Sequence, residues 1–470
     1  MAKKSLILVF MLFFALMAIA GNVMAAEKCG GSCDSCHSTC ENKLVKCGGS
    51  CDSCHSTCEN KLVRCGSSCD SCHNTCEINV SKCGNSCGSC QSTCEVNREV
   101  KEWTFLVFLN ADNNLDQFGV KDVNEMEKIG SNDKMNIVVL LDRENGTAKK
   151  LYITKDNDEN KISSQVLEEL GSYDMGDYKN LVNFVEWGVK NYPAKHYAVD
   201  IWNHGSGWSK SRLNTFKGIS YDDGSGNHIT TPQLGEAMAS IYKTLGKKLD
   251  ILAMDACLMQ MAEVTYEIKD YVQYCVASEE TEPGDGYTYD SFLAPLASNP
   301  EMSAADLAKV MVQGYKDHYA SISEASTQSA VDLGQFDTFM VKFDALCAKL
   351  AELSSDKAVM TAIKKQVRPV TQAFYYRTNI DLGHFMALIQ KNVNNPEVQT
   401  LVAEAIALYA NGQNPLVISN GTTGSRMANA TGLAIYFPTS VPGSDYAKIK
   451  FAKTNWMLFL SKYFPAAATL

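Results

Sequence analysis

A mainly parallel α/β sheet with helices on both faces is the fold that most of this 470-residue chain predicts. Three observations carry that expectation. From Trp103 onward, short apolar runs alternate with stretches of helical spacing, the pattern of strands joined by crossover helices. The strand candidates, such as Trp103-Thr-Phe-Leu-Val-Phe-Leu-Asn110, are almost continuously apolar, as strands covered on both faces should be. Sixteen of the 19 Cys fall within residues 29–94, and only Cys257, Cys275 and Cys347 lie beyond, so a Cys-rich module precedes a Cys-poor body.

In chain order, residues 1–26 read as a secretory signal. Lys3 and Lys4 supply the charged start, Leu6 to Ala20 the apolar stretch, and Val23-Met-Ala25-Ala26 a small-residue cleavage site. No later run is long and apolar enough to be a membrane helix, so the expectation is an exported mature chain without a transmembrane segment. Residues 27–98 hold four copies of an 18-residue unit, starting at Cys29, Cys47, Cys65 and Cys83, each Cys-x3-Cys-x2-Cys-x3-Cys-x6. Val, Ile, Leu and Phe are scarce here, so an ordinary core is excluded and cross-links or metal must hold any fold. The Cys offsets 0, 4, 7 and 11 fall on one helical stripe and 18 residues make five turns, which predicts short helical pieces broken at the Gly residues. Disulfides are the leading reading. Metal binding assisted by His37, His55 and His73 is an alternative, and the fourth copy has Gln91 where the others have His. Spacer, adhesive module and surface-attachment device all remain open as the segment's role.

The body divides into residues 99–300, which carry the sheet, and 301–470, an α+β region packed on it. Expected strands are Trp103–Asn110, Asn136–Asp142, Lys150–Thr154 after an Asn145-Gly146 hairpin turn, the run ending at Trp202, Gly218–Tyr221, the run from Lys248, Val272–Ala277 and Gly432–Phe437. Expected helices are Asn114–Ile129 closed by Gly130, Tyr178–Asn191, one starting at Thr231-Pro232, and one beginning near Leu258 and ending about Tyr271. Beyond these lie Ala304–Ala320, Phe336–Leu353 and Pro396–Ala410. The net charge of −10 disfavours a nucleic-acid partner.

Chemistry concentrates in two boxes at strand ends, Asn203-His204-Gly-Ser-Gly-Trp208 and Asp255-Ala-Cys257-Leu-Met259. Active sites of parallel sheets lie beyond the carboxyl ends of the strands. A Cys needs a nearby base or a positive local field to form thiolate, and His204 and a helix starting at Leu258 would supply both. Read singly, each residue has a plainer explanation. Cys257 could be a small buried hydrophobe or a disulfide partner of Cys275, His204 a core histidine, Asp255 a helix cap and Asp285 a turn residue. Cys275 and Cys347 read as core thiols, and His196, His228, His318 and His384 as structural or surface residues.

Taken together the boxes resemble the clostripain family of cysteine peptidases, whose fold is caspase-like. Ala111-Asp-Asn-Asn-Leu115, Gly218-Ile-Ser-Tyr-Asp-Asp223, Ala277-Ser-Glu-Glu-Thr-Glu-Pro-Gly-Asp-Gly286 and Gly432-Leu-Ala-Ile-Tyr-Phe-Pro438 extend the likeness over roughly residues 100–470. The resemblance implies an endopeptidase in which Cys257 is the nucleophile, His204 the proton shuttle, and the N–H groups of Gly205 and Cys257 the oxyanion donors. It implies Arg or Lys before the cleaved bond, in a pocket lined by Asp255, with Asp285 as a second candidate carboxylate. It further implies self-cleavage between the two boxes, with Lys217 the leading site ahead of Lys210 and Arg212. Calcium is the one cofactor it suggests, although no compact loop of oxygen ligands is visible. Two other readings stand beside this one: a surface adhesion or metal-binding protein whose repeats carry the function, and thiol chemistry that passes the acyl group to an amine instead of water.

Overall fold

The computed structural model describes residues 99–144, 146–208 and 218–464 with their side chains, and the backbone of seven strands between residues 27 and 92. Two units divide at Glu99 and Val100. The signal segment, the Cys-rich side chains and residues 209–217 lie outside the described residues.

In the first unit the helical expectation fails. Strands Cys33–Glu41, Ser50–Glu59, Ser68–Cys76 and Cys87–Ser92 form a four-stranded parallel sheet, beside a smaller sheet of Glu27–Cys29, Val45–Cys47 and Val63–Arg64. Pairing is in register with the repeat: Cys36 stands opposite Cys54, Cys54 opposite Cys72, and Cys72 opposite Cys90. Near-identical copies gain most by stacking like on like, and Ser, Thr, Asn, Asp, Cys and Gly are weak helix formers. The 18-residue period is therefore one rung of a stack, not five helical turns.

In the second unit a nine-stranded sheet runs through the body. Its strands are β1 (Lys101–Ala111), β2 (Met135–Arg143), β3 (Ala148–Tyr152), β4 (Gln165–Gly171), β5 (Ala194–Trp202), β8 (Leu249–Ala253), β9 (Val272–Ala277), β10 (Thr327–Asp332) and β12 (Val417–Thr422), in the order β4-β3-β2-β1-β5-β8-β9-β10-β12. The five from β2 to β9 are mutually parallel, and the four outer strands pair antiparallel. Two small hairpins complete the set: β6 (Gly218–Asp222) with β7 (Asn227–Thr230), and β11 (Asn379–Asp381) with β13 (Ala434–Tyr436).

The period-2 geometry of a strand sorts the core into two layers. Trp103, Phe105, Val107 and Leu109 of β1 face one cluster, covered by helices α1 (Asp116–Ile129), α5 (Tyr289–Ser298) and α6 (Ala304–Ser321). Leu106 and Phe108 face the other, covered by α2 (Tyr178–Asn191), α3 (Thr231–Leu245), α4 (Ala262–Ile268) and the later helices led by α7 (Phe336–Glu352). Thr230 caps α3 through a reciprocal bond with Gln233, and Pro232 sits in its first turn, so that start is written locally. Among the described helices none is long and apolar enough to cross a membrane.

Candidate active site

The site forms where β5 and β8, adjacent in the sheet, reach their carboxyl ends. Asn203 pins the junction. Its side-chain N–H donates to the carbonyls of Asn110 (2.6 Å) and Tyr221 (3.0 Å), its oxygen accepts the Tyr221 N–H (2.7 Å), and its own N–H reaches the Asp255 carbonyl (3.2 Å). The next residue, His204, and the residue two beyond Asp255, Cys257, are thereby presented to one cleft. Leu115, Trp202, His204, Asp255, Cys257 and Glu282 line it, with a volume of about 160 Å³. Gly205 makes the approach possible, because a Cβ there would lie 2.4 Å from the Cys257 carbonyl oxygen.

His204 Nε2 lies 2.8 Å from the side-chain oxygen of Asn114. With that oxygen as acceptor, Nε2 carries the proton and Nδ1 keeps the lone pair of a base. Burial lowers the imidazole's affinity for a proton, and Asp223 offsets this in part.

Around Cys257 two expectations are corrected. No helix begins at Leu258. That residue adopts a left-handed conformation (φ 65°) and α4 starts only at Ala262, so the turn at Cys257 does not run directly into a helix. Leu258-Met-Gln-Met261 is apolar enough to suggest a helix, yet it is consumed by a buried crossing in which the Leu258 N–H bonds the Glu280 carbonyl (3.0 Å) and the Gln260 N–H the Ser278 carbonyl (2.9 Å). Burial raises the Cys257 thiol above its ordinary value, and the N–H of Glu282, donated to Sγ at 3.3 Å, recovers part of that cost. Cys257 is also free, as are the buried Cys275 and Cys347, so the disulfide reading of Cys257 with Cys275 fails.

Behind the cleft lies a group of buried acids. Asp255 accepts the N–H of Tyr287 (3.1 Å) and the hydroxyl of Tyr289 (3.2 Å), which also donates to Asp200 (2.5 Å). Burial raises the proton affinity of Asp255, Asp200 and Glu282, and neighbouring negative charge raises Asp200 and Glu282 further. No N–H or O–H of another residue reaches either Glu282 oxygen. After burial, the nearby Asp255 carboxyl is the largest cause that raises the Glu282 proton affinity. Asp285, expected as the second carboxylate, lies outside the cleft lining and pairs with Lys121 (2.8 Å) and His318 (3.6 Å). Glu282, not Asp285, lines the cleft. Sequence alone shows three acids in Glu279-Glu280-Thr-Glu282, but not which of them the turn points inward.

A second acidic group joins Asp112, Asp142 and Asp222, whose ligand oxygens lie within 4.8 Å of one another. Burial and the two neighbours push Asp142 up to about 7. These residues stand at three separate strand ends, which hid them from a search for a compact ligand loop. Among the described residues, His196 and His384 make structural contacts away from the box. His196 stacks on Trp103 and bonds Asp250 at 2.9 Å, and His384 Nδ1 accepts the Gln372 N–H at 3.0 Å.

The sequence model of the clostripain family matches residues 107–460. Clostripain from Hathewaya histolytica is 30% identical over 218 residues, a stretch spanning 40% of this chain and 40% of that protein. A secreted C11 cysteine protease from Bacteroides thetaiotaomicron, solved with an irreversible peptide inhibitor, superposes with a TM-score of 0.57 at 22% identity, over 77% of this chain and 99% of that one. An inactive zymogen C11 protease from Parabacteroides distasonis gives 0.55 at 19% identity, over 78% and 99%. The structural likenesses establish the caspase-like α/β fold. The family model spans most of the body, and the chain accordingly belongs to the clostripain family.

Proposed function

We propose that this protein is an exported cysteine endopeptidase that cuts after Arg or Lys. The observation that carries the reading is a single cleft holding a free thiol, an imidazole with an available lone pair, and two buried carboxyls lacking a cation. Because the resting thiol is protonated, His204 Nδ1 takes the Sγ proton as sulfur attacks the scissile carbonyl carbon. The oxyanion of the tetrahedral intermediate is met by the N–H groups of Gly205 and Cys257. The C–N bond then breaks, and the amine leaves with the proton from His204. Water, deprotonated by His204, hydrolyses the thioester and returns the thiol. A Lys or Arg side chain entering the cleft supplies the positive charge that Asp255 and Glu282 lack.

Three finer points belong to the same reading. Self-cleavage after Lys217, in residues outside the described ones, would open the chain between the two boxes. Asp112, Asp142 and Asp222 offer hard oxygen donors that fit calcium, and the mutual repulsion evident at Asp142 is what a bound cation would relieve. The Cys-rich stack is the candidate device for attachment to a cell surface.

The test is hydrolysis of fluorogenic peptides ending in Arg, Lys, Asp or Leu by the wild type and Cys257→Ala. Turnover of Arg and Lys peptides by the wild type alone is the expected result. Equal turnover by both proteins removes Cys257 as nucleophile, and a preference for Asp removes the basic-residue specificity.

A further inference from the structure

A larger cavity, about 490 Å³, opens on the other side of the loop that touches the nucleophile. Glu280 and Thr281 form one wall, and residues 369–375 with Arg377, Arg426 and Met427 form the rest. The loop is a shared partition. Glu282 contacts Cys257 Sγ, and two residues earlier Glu280 Oε1 accepts the Tyr375 N–H at 3.0 Å. Two residues of chain reach at most about 7 Å. A peptide laid extended across Cys257 would therefore bring a side chain two or three residues from the cleaved bond to this cavity's mouth.

The cavity's charge is opposite to that of the cleft. Among the described residues neither Arg377 nor Arg426 has an ion-pair partner, although the chain carries 53 Asp and Glu against 43 Lys and Arg. The acid in the wall, Glu280, spends Oε1 on the N–H and hydroxyl of Thr281 (2.8 and 3.2 Å) as well as on Tyr375. Tyr375 and Val370 stand 66% and 57% exposed on the lining, an apolar wall left open among the described residues. Guanidinium groups with free donors are suited to a carboxylate.

We propose that this cavity is a second substrate subsite, which takes an Asp or Glu side chain of the peptide through Arg377 and Arg426. The proposal rests on the peptidase reading above and narrows the substrate to peptides carrying an acidic residue near the basic one.

The test uses the full chain and neutral peptides with one Lys at the cleaved position. A single Glu, or Gln as its match, is walked from three residues before the bond to three after. At one position Glu is expected to exceed Gln in kcat/KM by about five- to tenfold, the range for a partly exposed charge pair strengthened by two donors. Raising the salt concentration should compress that ratio. In Arg377→Ala/Arg426→Ala the ratio should fall to about one, and in Arg377→Glu/Arg426→Glu a Lys walked to the same position should become the preferred residue. If every peptide is cut but no position distinguishes Glu from Gln, or if the ratio survives both double variants, the subsite is wrong while the peptidase reading stands. If no Lys peptide is cut at all, the peptidase reading falls and takes the subsite with it.

Discussion

Cys257 sits where ionisation is costly, and His204 sits where protonation is costly. A neutral thiol beside a neutral imidazole is the resting state this favours, not a standing thiolate–imidazolium pair. Activity then requires only that His204 be unprotonated. Because burial lowers the imidazole's pKa, kcat for a Lys peptide should fall on acidification with a midpoint below 6.5 and show no decline up to about pH 9, as read from a pH–rate profile. Asn114→Asp places a carboxylate against Nε2 and should move that acid limb upward by about one unit or more, whereas a residue that only supports the fold would leave it in place. Asp255→Asn or Glu282→Gln should cost tens- to thousands-fold in kcat/KM for Arg and Lys peptides (about 2–5 kcal/mol) and much less for Leu peptides. His204, Cys257, Gly205 and Asp255 could be found in the sequence because each stands in a distinctive box at a strand end. Asn114 and Glu282 stand in the matched segments too, but only the folded turns show which neighbouring Asn and Glu face the cleft.

At the scale of elements, the body was legible wherever local rules decide. Tyr178–Asn191 is a helix with the expected bounds, capped by Asp177, and Thr230 with Pro232 announces α3. What escaped was decided by distant partners. Strand β4 has three acids or amides among its seven residues and pairs only with β3, so it shows no buried run. The segment after Cys257 has helical composition but is held in a non-helical turn by the carbonyls of Glu280 and Ser278. The repeats satisfy a helical stripe and a stacked strand equally well by spacing, and only pairing between copies separates the two. The carboxylates at three strand ends give a prediction at this scale. Added calcium should raise the thermal midpoint by a few degrees, and Asp142→Asn should raise the calcium-free midpoint while abolishing that response, as followed by scanning calorimetry.

For the molecule as a whole, the buried acids give stability one direction of pH dependence, which the half-buried imidazoles of His204, His228 and His384 oppose in part. Glu125, Asp142 and Glu263 are each pushed up to about 7 in the folded chain, chiefly by burial, and the acids behind the cleft move the same way. Unfolded carboxylates titrate near 4, so between about pH 4 and 7 the folded state binds more protons than the unfolded one. Stability from these groups is complete below that window and is lost as pH rises through it. The thermal midpoint should therefore be several degrees higher at pH 5.5 than at pH 8. A peptide analogue with a basic end group should narrow the gap, because it compensates the acids of the cleft.

The central claim is that one sulfur, one imidazole and a buried acidic pair share a cleft made for a basic side chain. Its most direct measurement is covalent capture: a peptide bearing a thiol-reactive ketone after Lys is incubated with the full chain, and the adduct is located by mass spectrometry. The expected result is one adduct, on Cys257, formed far faster than with the Leu or Asp analogue and slowed in Asp255→Asn. Labelling spread over other cysteines, or equal rates for all three analogues, would contradict the claim.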